Sequence, residues 1–255
     1  MLLFLGALLF LLLFNMGYFF ITKDIVYLHY VLFNTFFGAS ILIFGSFFNF
    51  YMGNGDIQEL QMTTAALSGV FFLSFARYFL NIKEYISVME YKLYRCLEVI
   101  LGITGISHIL VTYKYKYIIS NIIDFFIIVV VLFMIKVLFK VKGKNPLSIY
   151  YILAWSSQIS GTLLLYLYEY SDLLDNFAFA RYSLLIGCIG EMIINSFGLG
   201  YKSKLIEKEK VKAQVDARQK KKYQNLLRIV CHDLSNPLSS LQMSLDMFKM
   251  DNGED

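Results

Sequence analysis

The stretch Met1 to Ile21, MLLFLGALLFLLLFNMGYFFI, decides the fold class. It is an apolar run of spanning length, with no Lys or Arg ahead of it and Lys23 directly after it. About 20 such residues cross the hydrocarbon layer as a helix, and basic residues mark the cytoplasmic side. The asymmetry puts the N-terminus outside. A cleaved signal peptide needs a basic start and a small-residue cleavage site, and neither is present. The run therefore reads as a first transmembrane helix.

The whole chain agrees with that reading. Of its 255 residues 58% are hydrophobic, 17% aromatic and only 16% charged, which is too apolar for a soluble domain and suits a polytopic membrane protein. The three cysteines, Cys96, Cys188 and Cys231, have no paired spacing, so neither a disulfide framework nor a metal site is indicated. They read as packing residues. Nothing points to a nucleic-acid partner; the expected environment is the lipid bilayer.

Six more spans follow. The second runs from Tyr27 to Phe50 and ends in a turn-rich outer loop, Gly53 to Asp56. The third, Gln61 to Leu80, returns to an inner connector carrying Lys83, Lys92 and Arg95. The fourth, Leu97 to Tyr113, leads to a short outer loop with Lys114 and Lys116, the one place where charge opposes the topology. The fifth, Tyr117 to Phe139, ends in a basic inner loop with Lys140, Lys142, Lys144 and Pro146. The sixth, Leu147 to Tyr168, opens on an outer loop, Glu169 to Asn176, that holds Glu169, Asp172 and Asp175 and no basic residue. The seventh, Phe179 to Tyr201, meets a strongly basic stretch. The C-terminus is then cytoplasmic.

Ionisable groups inside a bilayer are costly enough to need a reason. Glu191 lies near the middle of span seven, Asn195 is one turn further on the same face, and Gln158 is at similar depth in span six. These three form a candidate polar cluster that senses or relays a ligand, or else a static hydrogen-bonded glue. Arg77 and Lys136 sit near inner ends and can snorkel to the interface. Asp124 is near the outer end of span five, and His29 and His108 read as packing residues. No mid-helix lysine suits a retinal-type Schiff base, because Lys136 is too close to the inner end. A transporter is disfavoured by the absence of matched Gly/Pro-broken spans.

Beyond the spans, residues 202–222 hold nine basic residues against Glu207, Glu209 and Asp216, so this linker should hug an anionic inner leaflet. Its heptad seam is poor and becomes convincing only from Tyr223 onward. A weak coiled coil feeding a stronger one suits a rotating or register-shifting signal helix, and a basic tether fits equally. Then comes Arg228 to Leu241, RIVCHDLSNPLSSL. As a helix it aligns Leu227, Val230, Leu234 and Leu241 in one stripe and puts His232 on the opposite, solvated face. Asn236, four residues on, shares the histidine's face, and Pro237 should bend the helix just after it. An exposed imidazole is a plausible nucleophile near neutral pH.

His232, Asp233, Asn236, Pro237 and Leu238 resemble the H-box of sensor histidine kinases. The resemblance implies His232 as phosphoacceptor, Asp233 as acid/base helper and Asn236 as the residue that orients water for dephosphorylation. From Gly6 to Lys210 the order of features is similar to bacterial seven-transmembrane receptors with diverse intracellular signalling modules. It rests on Gly6-Ala7, Asn15, the Gly-rich loop after span two, and Gly187, Glu191 and Ser196 before a charged helix.

The expected fold is all-α. It comprises a seven-transmembrane sensor domain (1–201), a basic cytoplasmic linker helix (202–222) and an incomplete dimerisation/phosphoacceptor helix (223–255). The expected place is the bacterial inner membrane. The 23 residues after His232 hold neither a second bundle helix nor an ATP-binding domain. The expectation is thus a chain truncated after the phosphoacceptor helix, without autonomous kinase activity. It binds no cofactor itself; ATP and Mg belong to a missing catalytic domain or a kinase acting in trans. The stripe Leu234, Leu238, Leu241, Leu245 and Phe248 calls for a partner, most simply a second copy. A response regulator would receive the phosphoryl group. The competing expectation is a non-catalytic receptor, or a dominant-negative partner that only dimerises.

Overall fold

A computed structural model of the chain describes residues 2–44, 54–110, 113–170 and 182–251. Among them every regular element is helical: α1 (Leu2–Thr22), α2 (Ile25–Phe44), α3 (Asn54–Phe79), a short 3-10 turn (Ile82–Glu84), α4 (Val88–Leu110), α5 (Tyr113–Val141), α6 (Leu147–Tyr170) and α7 (Ser183–Asp251). The chain divides into two compact units, Met1–Lys202 and Ser203–Asp255.

The turns joining these helices are set by short polar residues. Lys23 takes a left-handed backbone (φ 56°), closing α1, and Asp24 Oδ1 accepts the Val26 N–H at 3.0 Å to open α2. Ser87 and Glu90 form a reciprocal capping box on α4: the Ser87 N–H donates to Glu90 Oε2 at 3.0 Å, and the Glu90 N–H to Ser87 Oγ at 3.2 Å. Asn145 caps α6 through the Leu147 N–H (2.9 Å) while its amide donates to Leu80 O at 2.8 Å. That ties the end of α3 to the α5–α6 turn.

Inside the first unit a core of Tyr30, Phe33, Phe75, Phe79, Tyr94 and Tyr151 draws in α2 through α6, with Leu199 of α7. Phe10, Leu13, Phe125, Phe139 and Phe197 point outward and stay exposed. In lipid such outward residues gain little by burial, so helices are held by close packing and hydrogen bonds instead. The α6–α7 crossing shows both. Ser157 Oγ donates to Gly187 O (3.1 Å), Ser183 Oγ donates to Gly161 O (2.9 Å), and Gly161 and Gly187 let the two backbones meet.

Three of the described helices are long and apolar enough to cross a membrane: Leu2–Thr22, Ile25–Ile43 and Ser183–Phe248. Several expected boundaries shift. Lys114 and Lys116 belong to the first turns of α5 rather than to a loop, and Asn54 to Asp56 open α3 rather than form a turn. Glu169 closes α6. The end of the expected second span, from Gly45 on, lies outside the described residues, as do Gly53, Asp172 and Asp175 and the side chains of His108 and Asp124. Pro237 lies inside α7, which continues to Asp251. Only Cys188 packs as expected, because Cys96 and Cys231 are exposed.

Candidate functional site

The polar residues of α7 in the first unit face α1 and α2. Tyr30 Oη donates to Met192 O (2.8 Å), and Tyr27 Oη donates to Leu199 O (3.2 Å). Lys202 Nζ donates to Tyr78 O (2.9 Å) and stands 3.7 Å from Asp24 Oδ2. Numbers that rise along α2 fall along α7, so the two helices run antiparallel through a ladder of contacts. On the neighbouring side Asn15 Nδ2 donates to Leu11 O (2.8 Å) and reaches Ser196 Oγ (3.4 Å).

Glu191 and Asn195 are both buried, and the Asn195 amide donates to Glu191 Oε1. The one-turn spacing brings them together, as the sequence implies. Around them several buried acceptors have no partner among the described residues: Asn15 Oδ1, Asn34 Oδ1, Glu191 Oε2 and Asn195 Oδ1. Gln158 is not brought to this group. It lines a separate cavity among α2 to α6, together with Phe33, Phe72 and Trp155. The direction in which each helix turns its residue was not legible in the sequence.

A second polar group lies at the end where α3 meets α4. Glu98 accepts hydrogen bonds from Ser74 Oγ, Arg77 (3.3 Å) and Arg95 (2.6 Å), with its side chain only 7% exposed. Arg77 also lies over the Tyr78 ring at 4.3 Å, and His29 stacks on the same ring at 4.9 Å. Arg77 therefore does not snorkel freely; it is paired, and its side chain is 11% exposed. Lys136 likewise reaches Glu90 Oε1 at 3.2 Å, and Lys140 reaches the same oxygen at 2.6 Å. Lys140 first, then the Ser87 N–H and Lys136, hold the Glu90 carboxyl down at about 2. The sequence reading passed over Glu98, Glu90, Tyr27, Tyr30 and Asn34. A carboxylate one turn past Arg95 was the available signal for Glu98; the tyrosines carried none.

His232 lies in the second unit, on α7. Its side chain is 73% exposed, and Nδ1 stands 3.4 Å from Asp233 Oδ1, itself 70% exposed. Asn236 is one turn further on, its carbonyl accepting from Ser240 Oγ at 3.0 Å. Leu227, Val230, Leu234 and Leu241 are exposed too, so none of the described residues of this unit covers their stripe. No group of acidic, His or Cys residues that could hold a metal ion occurs among the described residues.

The first unit is all-helical among the described residues, and the second is a charged helix with an exposed apolar stripe. The family model for 7TM diverse intracellular signalling domains matches residues 1–202, and the chain belongs to that family. No curated protein and no solved structure matches the chain.

Proposed function

We propose that this membrane sensor is the receptor portion of a two-component histidine kinase, with His232 as its phosphoacceptor. In this reading the membrane domain spans the bacterial cytoplasmic membrane seven times, N-terminus outside and C-terminus inside. The observation that carries the reading is the exposed His232 imidazole beside Asp233, with Asn236 one turn on, along a helix that begins in the family-matched domain. The turns bearing Lys23, Lys83, Lys140, Lys142 and Lys144 carry the positive charge expected of the inner face.

Asp233 is placed to accept the Nδ1–H of His232, which leaves the Nε2 lone pair free for the terminal phosphoryl group. The new bond is Nε2–P, the broken one is the β,γ-bridging P–O, and ADP leaves. Asn236 then orients water, or a response regulator aspartate takes the phosphoryl group. ATP and Mg are held by a kinase catalytic domain outside these residues. Leu234, Leu238, Leu241, Leu245 and Phe248 recur at alternating spacings of four and three and are all exposed. That is the seam of a helical dimer, and it supports a second copy as partner. The same seam also favours a second reading, a non-catalytic receptor that only pairs with a kinase.

Membranes containing the chain, incubated with radiolabelled ATP with and without a full-length homologous kinase, separate the two. Acid-labile label that disappears in His232→Ala supports phosphotransfer. No label in either preparation leaves the pairing role and removes the phosphoacceptor assignment.

A further inference from the structure

The cavity that holds Gln158 belongs to no part of the scheme above. It measures about 240 Å³ and no charged side chain lines it. Its wall is a run of rings: Phe33 against Phe37 (5.6 Å between centroids), Phe33 against Phe72 (5.4 Å) and Phe72 against Trp155 (6.0 Å). Three polar side chains, Ser40, Ser68 and Gln158, interrupt it. The Ser68 hydroxyl already donates to Ala65 O at 2.7 Å and keeps acceptor capacity. The Gln158 carboxamide has no hydrogen-bond partner among the described residues; only its main-chain carbonyl is engaged, by Thr162 Oγ1 at 3.0 Å. A primary amide left unpaired at membrane depth forgoes hydrogen bonds that water would have given it.

We propose that this cavity binds a small, neutral, lipophilic ring compound carrying one hydroxyl, carbonyl or amide group that pairs with Gln158. An apolar cavity of about 150 Å³ accepts benzene, so this one takes a ring with a short polar substituent or a compact two-ring molecule. Ring walls favour a flat guest, through offset or edge-on contact. The lack of a charged lining residue excludes ions, and the bilayer itself supplies the route of entry. The inference rests on the sensor reading and names the chemical class of its stimulus.

Trp155 is the sole tryptophan of the chain, which makes its emission a reporter placed in the cavity wall. The full chain in phospholipid nanodiscs is titrated with 4-bromobenzyl alcohol, whose bromine quenches indole emission. The expected result is saturable quenching that unbrominated benzyl alcohol relieves. Ala65→Phe, which fills the cavity, leaves only a shallow linear decline, and Gln158→Leu weakens the apparent affinity roughly fivefold, the worth of one hydrogen bond. Linear quenching that benzyl alcohol does not relieve overturns the proposal. So does saturable quenching unchanged by Ala65→Phe, which puts the probe in the groove on the other side of Trp155, beside Phe139 and Lys142. Should Ala65→Phe not fold, Gln158→Leu decides: an apparent affinity equal to that of the unmodified chain overturns the proposal. Quenching in His232→Ala is expected to equal the unmodified chain, so this site and the phosphoacceptor fail independently.

Discussion

Replacing Gly187 by alanine tests how closely α6 and α7 are pressed together. A Cβ at Gly187 would stand 2.7 Å from Ser157 O and 3.1 Å from Gly161 Cα, where ordinary contact begins at 3.4 Å. Both obstacles are backbone, so no side-chain rotation relieves them, and the helices must part by 3.4 minus 2.7, or 0.7 Å. That separation stretches the Ser157–Gly187 and Ser183–Gly161 hydrogen bonds, now 3.1 and 2.9 Å, beyond useful length. Interhelical bonds of this kind are worth about 0.6 kcal/mol each, and overpacking costs about 1–3 kcal/mol; together the loss is about 2–4 kcal/mol. Gly190→Ala is the internal control. Its Cβ meets the Ser157 hydroxyl, the far end of a side chain that can turn away by giving up its bond to Gly187 O, so the loss is about 0.6 kcal/mol and stays under about 1 kcal/mol. Unfolding by SDS in mixed micelles, followed by Trp155 emission, measures both. A Gly187→Ala loss below about 0.5 kcal/mol, or equal losses for the two variants, refutes the reasoning.

Three further outcomes follow from the polar contacts. Glu98→Gln leaves the guanidinium of Arg77 nearly buried without its counter-charge; breaking a buried pair costs about 3–5 kcal/mol. The Gln carbonyl still accepts a bond and Arg95 is 44% exposed, so about 2–3 kcal/mol is expected in the same SDS assay, with Arg77→Met added to Glu98→Gln recovering much of it. Glu90, held down at about 2 from an ordinary 4.5, contributes stability that is fully present above pH 4.5 and is lost as pH falls through 2. The difference in melting temperature between the chain and Glu90→Gln should therefore shrink across that window and with added salt, and a constant difference contradicts it. Tyr30→Phe removes a 2.8 Å bond to Met192 O, whose carbonyl keeps its helical partner, so about 1 kcal/mol is lost. A loss above about 3 kcal/mol would mean that the hydroxyl does more than this bond.

Apolar runs located α1 and the start of α2 to within a few residues, because hydropathy over some 20 residues is a one-dimensional quantity. Helix ends were less legible. Lys114 and Lys116 read as loop by charge, yet Tyr113 already starts α5. The polar site was half legible. Glu191 and Asn195 sit one turn apart on one helix, which sequence spacing captures directly. Gln158 turns to a different side, beside Phe33 and Phe72 of other helices, which no window of sequence around it contains. Arg77 and Glu98 are 21 positions apart on adjoining helices, so their pairing needed the fold. The tyrosine hydroxyls of α2 bind main-chain oxygens, a target with no side-chain signature at all.

That last property bears on how α7 can move. Every residue of a helix offers a carbonyl, so Tyr27 and Tyr30 clasp α7 without regard to which side chains stand at positions 192 and 199. What they register is where the backbone lies. A screw of one residue, about 1.5 Å along the axis with about 100° of rotation, brings the next carbonyls to the places the last ones held, whereas a slide without rotation or a rotation without slide carries both out of reach. The clasp behaves like a detent with evenly spaced notches. It resists pure slides and pure rotations and tolerates a one-residue screw, so a helix held this way has discrete resting positions rather than graded ones.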